Sequence, residues 1–331
     1  MKVYDLHCDT ISAIYEGRKE GKKLTLASSS LQVDLEKMEK GDYQLQTFAI
    51  FLDRANTEDC FATAREMAEL FQEELEKNRD RISQIYTYQD IQRNKEEGKM
   101  SALLSLEEGG IFEKSPEDLR WFYEQGARIA TLTWNHENDL AYPNCQGDPL
   151  KDHPWSWGEK RGLKEKGIQM LEQMESLGVI PDVSHLSDGG FWDVAKYCRK
   201  PFLATHSNAR GAAPEAARNL TDEMIRTLAD RGGIMGLNYC VSFVRENWVP
   251  GQPGASIEEL IRQIRYIVNV GGEECLALGS DFDGIAEAPE MENAGGLQKL
   301  AESMEEAGIS HGLTEKIFWK NADRFLWENL R

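Results

Sequence analysis

The stretch VYDLHCDT, residues Val3–Thr10, shows the pattern on which the fold prediction rests: a short apolar run that ends in residues able to bind metals. Residues of a β-strand alternate between its two faces, so His7 and Asp9 should point the same way and Cys8 the opposite way. Two strong metal ligands would then meet beyond the end of the strand. Short His/Asp patterns also arise by chance, so the rest of the chain has to show whether these residues act together.

Apolar runs of strand length recur along the chain, and helical patterns separate most of them. The runs cover residues 3–9, 46–52, 101–106, 127–133, 179–184, 202–206, 233–239 and 275–281. The helical patterns cover residues 58–77, 116–125, 164–177, 188–198, 221–231, 256–270, 295–307 and 313–329. Eight such strands alternating with helices predict an amidohydrolase-like α/β fold, a (β/α)8 TIM barrel with extra C-terminal helices. An open, doubly wound sheet is the alternative, which the lack of a glycine-rich phosphate motif after any strand disfavours.

The composition limits the partners and the location of the protein. A net charge of −19 over 331 residues argues against nucleic acids and anionic membranes as partners. Hydrophobic residues make up 40% of the chain, and no linker divides it, so we predict a single domain over residues 1–331. Neither a signal peptide nor an apolar run of about 18 residues is found. With six scattered cysteines, these features predict a cytoplasmic protein.

Several predicted strands end in residues that bind metals or move protons. These residues are His7, Asp9, Glu107, Glu108, His185, His206 and Asp281. The carboxyl ends of the strands of a (β/α)8 barrel share one rim, so residues far apart in the sequence would meet there. Each residue taken singly has an ordinary explanation, such as a solvated carboxylate or a capping aspartate. The occurrence of the whole set at the same ends of the strands favours a metal site.

This ligand set suits two divalent metals. His7 and Asp9 would hold one ion, His185 and His206 would hold the other, and a glutamate would bridge them through its two oxygens. Imidazole and carboxylate ligands suit zinc, and manganese or iron fits the same set. Two such ions lower the pKa of a bridging water and polarise a carbonyl, which is metal-assisted hydrolysis. Asp281 is placed to take the proton of that water.

Five ordered motifs carry a resemblance to a known family: HCD, EEGG, DVSH, THSNAR and GSDFDG, at the ends of five predicted strands. From Asp5 to the C-terminal KNADRFL, the chain resembles the membrane dipeptidase (renal dipeptidase, peptidase M19) family. The resemblance implies a hydrolase with two zinc ions per chain that cleaves dipeptides. It also implies tolerance of a D-residue at the C-terminal position of the dipeptide, and assembly as a homodimer.

The resemblance assigns the metal ligands residue by residue. His7 and Asp9 match the ligands of the first metal, and His185 and His206 match those of the second. Glu107 matches the bridging carboxylate when EEGG is laid without gaps on the family's EGG pattern. A shift of one residue would select the following glutamate instead.

The resemblance also indicates residues that would contact the substrate. Asp281 matches the acidic residue that handles the water proton and the substrate amino group. Arg218 matches the arginine that binds the substrate carboxylate, and a guanidinium fork suits that task because it pairs with two oxygens. Where family members often carry a histidine after the fourth strand, this chain has Trp134; either His136 or the metals would replace it, or His136 is an ordinary loop residue. Tyr239 is a candidate for substrate contact, with packing as the alternative.

Two other functions stay open on the sequence alone. A different amidohydrolase-type enzyme, acting on lactones, cyclic amides or phosphoesters, would share the metals but would not need Arg218. A barrel that has lost catalysis and serves as a binding protein would lack at least one ligand, and only the Trp134 position departs from the family pattern. The irregular segment 138–162, which contains Trp155 and Trp157, has the length of a functional or mobile loop.

Overall fold

The computed structural model describes residues 1–145, 160–214 and 216–330. These residues form nine β-strands in one parallel sheet. The strands are β1 (Val3–Cys8), β2 (Tyr43–Phe51), β3 (Ile82–Gln84), β4 (Met100–Glu107), β5 (Ala127–Thr131), β6 (Ile180–Asp182), β7 (Leu203–Ala204), β8 (Ile234–Leu237) and β9 (Leu276–Leu278). Trp155 and Trp157 of the predicted irregular segment lie outside the described residues.

The sheet closes into a barrel. Strands β2, β1, β9, β8, β7, β6, β5 and β4 follow one another around it, and β4 pairs with β2 to complete the circle. Since an open sheet would leave both of these strands at free edges, the pairing excludes the doubly wound alternative and confirms the predicted (β/α)8 barrel. The short strand β3, which the sequence patterns did not predict, pairs with the start of β4, where Ile82 lies opposite Met100.

Twelve α-helices occur in the described part of the chain. They are α1 (Thr10–Lys19), α2 (Leu35–Lys40), α3 (Cys60–Lys77), α4 (Tyr88–Glu96), α5 (Pro116–Glu124), α6 (Glu165–Leu177), α7 (Asp188–Tyr197), α8 (Asp222–Asp230), α9 (Ile257–Gly271), α10 (Leu297–Glu306), α11 (His311–Glu315) and α12 (Asn321–Asn329). Helices α1, α2 and α4 were not predicted, and a π-helical turn over Lys316–Lys320 divides the predicted last helix. None of the described helices is both long and apolar enough to cross a membrane.

Apolar side chains fill the barrel below the polar rim. Each of the eight barrel strands contributes at least one residue to a single buried cluster, and these include Leu6, Leu45, Leu103, Ile129, Ile180, Leu203, Ile234 and Ala277. Phe325 and Leu326 of α12 belong to the same cluster, so the last helix helps to close the barrel. A larger cluster holds the residues packed between the strands and the surrounding helices. The polar rim therefore stands on a filled, rigid barrel.

A β-bulge in β1 aims His7 at the rim. Asp5 pairs with Gln46 and Cys8 pairs with Phe48, so β1 uses one more residue than β2 over this interval. As a result, Leu6 packs in the cluster inside the barrel while the next residue, His7, also turns towards the barrel axis. Cys8 lies in the outer cluster, as the alternation over His7–Asp9 predicted.

Candidate metal centre

Six side chains from five strands meet at the carboxyl end of the barrel. Each comes from the last two residues of its strand or from the three residues that follow. Five of them are buried, and Asp281 is slightly exposed. Five of the six are the predicted metal ligands, His7, Asp9, Glu107, His185 and His206, and the sixth is Asp281, which was predicted to take the proton of the water.

The carboxylate of Glu107 lies between two sets of imidazoles. Its Oε2 is 3.2 Å from His7 Nε2, on the side of Asp9. Its Oε1 is 3.0 Å from His185 Nε2 and 3.3 Å from His206 Nε2. The two oxygens of one carboxylate thus face two different groups of ligand atoms, which is the arrangement that a bridging ligand needs.

The neighbouring Glu108 has a different environment. Its Oε1 accepts hydrogen bonds from the backbone N–H of Gly110 (2.7 Å) and from Asn138 Nδ2 (2.8 Å). Its Oε2 accepts one from the backbone N–H of Trp134 (2.8 Å). Glu108 therefore holds together the loops that follow β4 and β5, and its carboxylate has little capacity left for a metal.

Asp281 completes the group on the His7 side. His7 Nε2 lies 3.5 Å from Asp9 Oδ2 and 3.8 Å from Asp281 Oδ1. The other oxygen of Asp281 accepts a hydrogen bond from Asn238 Nδ2 (2.8 Å). Asp281 has a φ of 61° and His185 one of 66°, a left-handed backbone conformation that is costly outside glycine and that clusters at functional sites.

Burial and neighbouring charges set the protonation of the three histidines in the metal-free protein. Burial, followed by the positive charge of Arg218, lowers the pKa of His185 to about 4. Burial, followed by the charge of His7, lowers the pKa of His206 well below its ordinary value. Burial also opposes the charged form of His7, but the carboxylates of Glu107 and Asp9 outweigh it and raise the pKa of His7. His185 and His206 are therefore neutral near pH 7, the form in which an imidazole binds a metal.

The pKa values of Glu107 and Asp281 are shifted in opposite directions. Burial opposes ionisation of Glu107, but the charge of His7 outweighs it and lowers the pKa of Glu107 well below the ordinary value. Burial raises the pKa of Asp281 to about 6, with the charge of His7 opposing the shift. Glu107 therefore keeps its negative charge, which suits a metal ligand. Asp281 can take up a proton near neutral pH, which suits a general base.

Several observations show that these residues fit a metal. His7 Nε2 and Asp9 Oδ1 are buried and have no hydrogen-bond partner among the described residues, and unpaired buried polar atoms are costly. The Nε2 atoms of two neutral imidazoles, His185 and His206, lie only 2.9 Å apart. Ligand atoms of His7, Glu107 and His206 lie within 4.8 Å of one another, as do those of His7, Asp9 and Asp281. Imidazole nitrogens and carboxylate oxygens are suitable ligands for zinc and related divalent ions.

A cavity of about 350 Å³ opens over these ligands, and Glu107, His185, Asp281 and Arg218 line it. Arg218 is buried, with 1% of the residue exposed. It donates to Ser207 Oγ (2.8 Å) and to the carbonyl of His206 (2.8 Å), while its Nε has no acceptor in the described part of the chain. No carboxylate of the described residues forms an ion pair with it. A buried cation without an ion-pair partner among the described residues favours an anionic ligand in the cavity.

A second cavity of about 920 Å³ adjoins the first and is open to solvent. The two share Asp9, Phe51, Asp53 and Gly284, whereas Arg218 lines only the smaller one. A molecule whose carboxylate reached Arg218 would therefore extend its other end past the ligands towards the larger cavity.

Two predicted substrate contacts do not reach the cavity. His136 Nε2 lies 3.0 Å from Asp53 Oδ1, and His136 is not among the residues that line the cavity. Tyr239 is fully buried in the outer cluster, with its ring 5.5 Å from that of Phe282. Trp134, which stands at the position of the family's histidine, lines the cavity with its ring 6.2 Å from that of His185. At this position the cavity therefore has an indole surface.

Sequence reasoning missed the residues that contact the ligands from behind. Asn135 Oδ1 lies 2.9 Å from His185 Nδ1, and Thr205 Oγ1 lies 2.8 Å from His206 Nδ1. Asn238 donates a hydrogen bond to the carboxylate of Asp281, and the hydroxyl of Thr205 donates one to the carboxylate of Asp182. Asp182 and Thr205 are the first residues of the DVSH and THSNAR motifs. The motifs therefore contained both residues, but the sequence did not indicate what they do.

A (β/α)8 barrel with imidazoles and carboxylates clustered at the carboxyl end of its strands is a metal-dependent hydrolase of the amidohydrolase-like type. The family model described as membrane dipeptidase (peptidase family M19) matches residues 1–329. The chain belongs to this family of metallopeptidases, which makes it a dipeptidase that depends on metal. The family that the five motifs indicated is thereby confirmed.

Individual proteins are similar to this chain in sequence or in fold. An uncharacterised protein of Klebsiella pneumoniae is 33% identical over 237 residues, which cover 72% of this chain and 85% of the relative. A solved structure of a metallopeptidase of family M19, described as dipeptidase AC, has a TM-score of 0.87 at 25% identity and covers 100% of this chain and 99% of its own. A metallopeptidase from Rhodobacter sphaeroides, solved with a phosphinate mimic of L-Ala-D-Ala, has a TM-score of 0.86 at 23% identity over 100% of this chain and 99% of its own.

Proposed function

We propose that the protein is a binuclear zinc dipeptidase that hydrolyses dipeptides, including those with a D-residue at the C-terminal position. The observation that carries the proposal is the division of the Glu107 carboxylate, with Oε2 towards His7 and Oε1 towards His185 and His206. A single-metal site would leave one of these two groups of ligand atoms without a cation. The phosphinate mimic of L-Ala-D-Ala in the structure from Rhodobacter sphaeroides supports the stereochemical part of the proposal.

The cavity supports a substrate with a free carboxylate. Arg218 is buried and cationic, and it has no ion-pair partner among the described residues, so the carboxylate of a dipeptide would neutralise it. From Arg218, the scissile bond would lie over the ligand cluster and the N-terminal residue would point to the larger cavity. A lactone or a simple cyclic amide lacks the anionic group that would pair with Arg218, so this observation favours dipeptides over those two substrate classes.

Bound zinc would supply a water of lowered pKa and would polarise the peptide carbonyl. The chain's own contribution is to bind and orient the dipeptide and to move protons. One oxygen of Asp281 is occupied by Asn238, which leaves Oδ1 to accept the proton of the attacking water. The same carboxyl group would then pass the proton to the departing amine.

The decisive test is an assay of the zinc-loaded protein against a panel of L-L and L-D dipeptides. We expect turnover of members of both classes and its loss in His7→Ala, with zinc content measured for each protein. No turnover of any dipeptide by the intact protein would overturn the dipeptidase function. Undiminished turnover in His7→Ala would overturn the metal assignment.

The role of Arg218 predicts a loss confined to substrates with a free carboxylate. Arg218→Lys keeps the charge but loses the two-pronged pairing, so kcat/KM for dipeptides should fall about 100-fold, as for a lost charge-assisted pair of about 3 kcal/mol. The matched control is the same dipeptide with a C-terminal amide, which should be cleaved equally slowly by both proteins. An equal loss on both substrates would contradict the assignment.

Metal removal should lower the melting temperature. The buried nitrogens and carboxylates of the centre lose their cation, and binding of a ligand at about 100 times its Kd stabilises a folded protein by about 2.7 kcal/mol. The measurement is thermal unfolding after chelation and after return of zinc. Magnesium is the control, since it prefers oxygen ligands and should restore little. Identical melting curves with and without zinc would contradict the prediction.

The zinc identity of the metals, the cytoplasmic location and the homodimer stay predictions from the sequence. Metal analysis of the protein purified without added metal tests the first. Cell fractionation and sedimentation equilibrium test the other two.

A further inference from the structure

We propose that Asp182 and Thr205 form a positioning pair that fixes the imidazoles of His206 and His7 in the tautomer that binds metal. The inference rests on the proposed role of these two histidines as ligands of different metals. Neither Asp182 nor Thr205 lies in the cavity, so both act through the histidines and not on the substrate.

Asp182 is anchored from one side by the backbone. It is the last residue of β6 and is 2% exposed. Its Oδ1 accepts hydrogen bonds from the backbone N–H of Ser184 (2.9 Å) and of Thr205 (3.0 Å). Its Oδ2 accepts a short hydrogen bond from the hydroxyl of Thr205. The carboxylate is therefore held in one orientation, with one oxygen reserved for the Thr205 hydroxyl.

The Thr205 hydroxyl can only accept hydrogen bonds from the neighbouring histidines, because its single proton is already used. A hydroxyl has one proton, and Thr205 donates it to Asp182. Thr205 Oγ1 can then only accept hydrogen bonds from the two imidazole nitrogens beside it, His206 Nδ1 at 2.8 Å and His7 Nδ1 at 3.4 Å. Both imidazoles must therefore carry a proton on Nδ1, so the nitrogen of each ring that can bind a metal is Nε2.

The consequence appears on the opposite side of each ring. When Nδ1 carries the proton of a neutral imidazole, the lone pair is on Nε2. His206 Nε2 and His7 Nε2 are the atoms that face Glu107, at 3.3 and 3.2 Å. One hydroxyl therefore directs a ligand into each of the two groups. His185 is set separately, because its Nδ1 lies beside Asn135 Oδ1 (2.9 Å).

Asp182→Asn reverses the direction of the proton with almost no change in shape. The two backbone N–H groups at Oδ1 require an acceptor, so the amide oxygen must stay there and the NH₂ group must face Thr205. Thr205 Oγ1 then accepts from the amide, and its own proton points to His206 Nδ1. His206 would shift its proton to Nε2 and lose the lone pair that faces the metal.

The first measurement is the tautomer of His206 in the metal-free protein, read from ¹⁵N chemical shifts of protein labelled at its six histidines. We expect His206 to carry its proton on Nδ1 in the wild type and on Nε2 in Asp182→Asn. His185 serves as the internal control, because Asn135 sets its tautomer and its shifts should stay the same.

The second measurement is metal affinity, by competition for zinc and by the visible spectrum of the cobalt(II) form. Loss of an outer partner of a metal-bound histidine typically costs 10- to 100-fold in affinity, and we expect a loss of about this size in Asp182→Asn. Thr205→Val, which removes the hydroxyl, should also bind more weakly. Thr205→Ser, which restores it, should bind like the wild type and give the wild-type cobalt spectrum.

Three results would overturn the proposal. These are an unchanged His206 tautomer in Asp182→Asn, wild-type zinc affinity in that variant, and equal affinities for Thr205→Val and Thr205→Ser. If Asp182→Asn does not fold, the comparison of the two Thr205 variants decides. A failure of the dipeptidase function would appear as no turnover by the wild type, which leaves the tautomer measurement on the metal-free protein unaffected.

Discussion

Glu107→Gln is expected to abolish binding of the full metal complement and with it dipeptide hydrolysis. The carboxylate of Glu107 faces both sets of ligand atoms, and an amide offers a single neutral oxygen in its place. Because loss of an outer partner of a ligand already costs up to about 100-fold, loss of the shared ligand itself should reduce kcat/KM by more than about 100-fold. The measurements are metal content per chain and turnover at saturating zinc.

Glu108→Gln is the matched control for this prediction. It makes the same chemical change one residue further along the chain, at a carboxylate that accepts hydrogen bonds from Gly110, Asn138 and Trp134. The Glu108 variant should lose some thermal stability and keep its metal. A wild-type metal content in Glu107→Gln, or an equal metal loss in both variants, would contradict the bridging role.

Asp281→Asn should separate catalysis from metal binding. Proton transfer by a positioned side chain typically contributes 10²- to 10⁴-fold, so kcat should fall by about that factor. Metal content should be retained, because His7, Asp9 and Glu107 would still be available to hold an ion on that side. The measurement is kcat at saturating substrate, together with zinc content of the same preparation.

Asp283→Asn provides the comparison within the same motif. Asp283 accepts hydrogen bonds from the backbone N–H of Gln32 (2.6 Å) and from the hydroxyl of Thr10 (2.7 Å), so its carboxylate holds the chain in place. That variant should have a lower melting temperature but a much smaller loss of kcat than Asp281→Asn. Loss of zinc from Asp281→Asn would show instead that Asp281 is a metal ligand, which would contradict the separation.

The sequence could predict the position of the site along each strand but not its exact membership. Neighbouring residues of a strand face opposite sides, so choosing between Glu107 and Glu108 requires the register of β4 against β2 and β5. The bulge in β1 is a similar case, since it depends on how Asp5 and Cys8 pair with β2. The local pattern of apolar and polar residues predicts neither the register of β4 nor the bulge in β1.

The surroundings of His136 and Tyr239 also depend on the tertiary structure. The resemblance suggested His136 as a replacement for the family's histidine, and Tyr239 stands at the end of a predicted strand, but neither observation decides where a side chain turns. His136 pairs with Asp53, which comes from the loop after a different strand. Tyr239 packs in the outer layer, where its ring meets Phe282. Trp134, by contrast, reaches the cavity and packs against Phe51 with 4.9 Å between ring centroids.

By itself, the sequence determined the barrel and the family, and it placed the candidate ligands at the ends of their strands. Strand and helix periodicity are local properties, and the rule that parallel barrel strands end on one rim brings their last residues together. Only the tertiary structure decided that Glu107 is shared, that Arg218 is buried without an ion-pair partner in the described part of the chain, and that Asp182 reaches the histidines through Thr205. These contacts join residues from different strands, so they exist only once the register of the closed barrel is set.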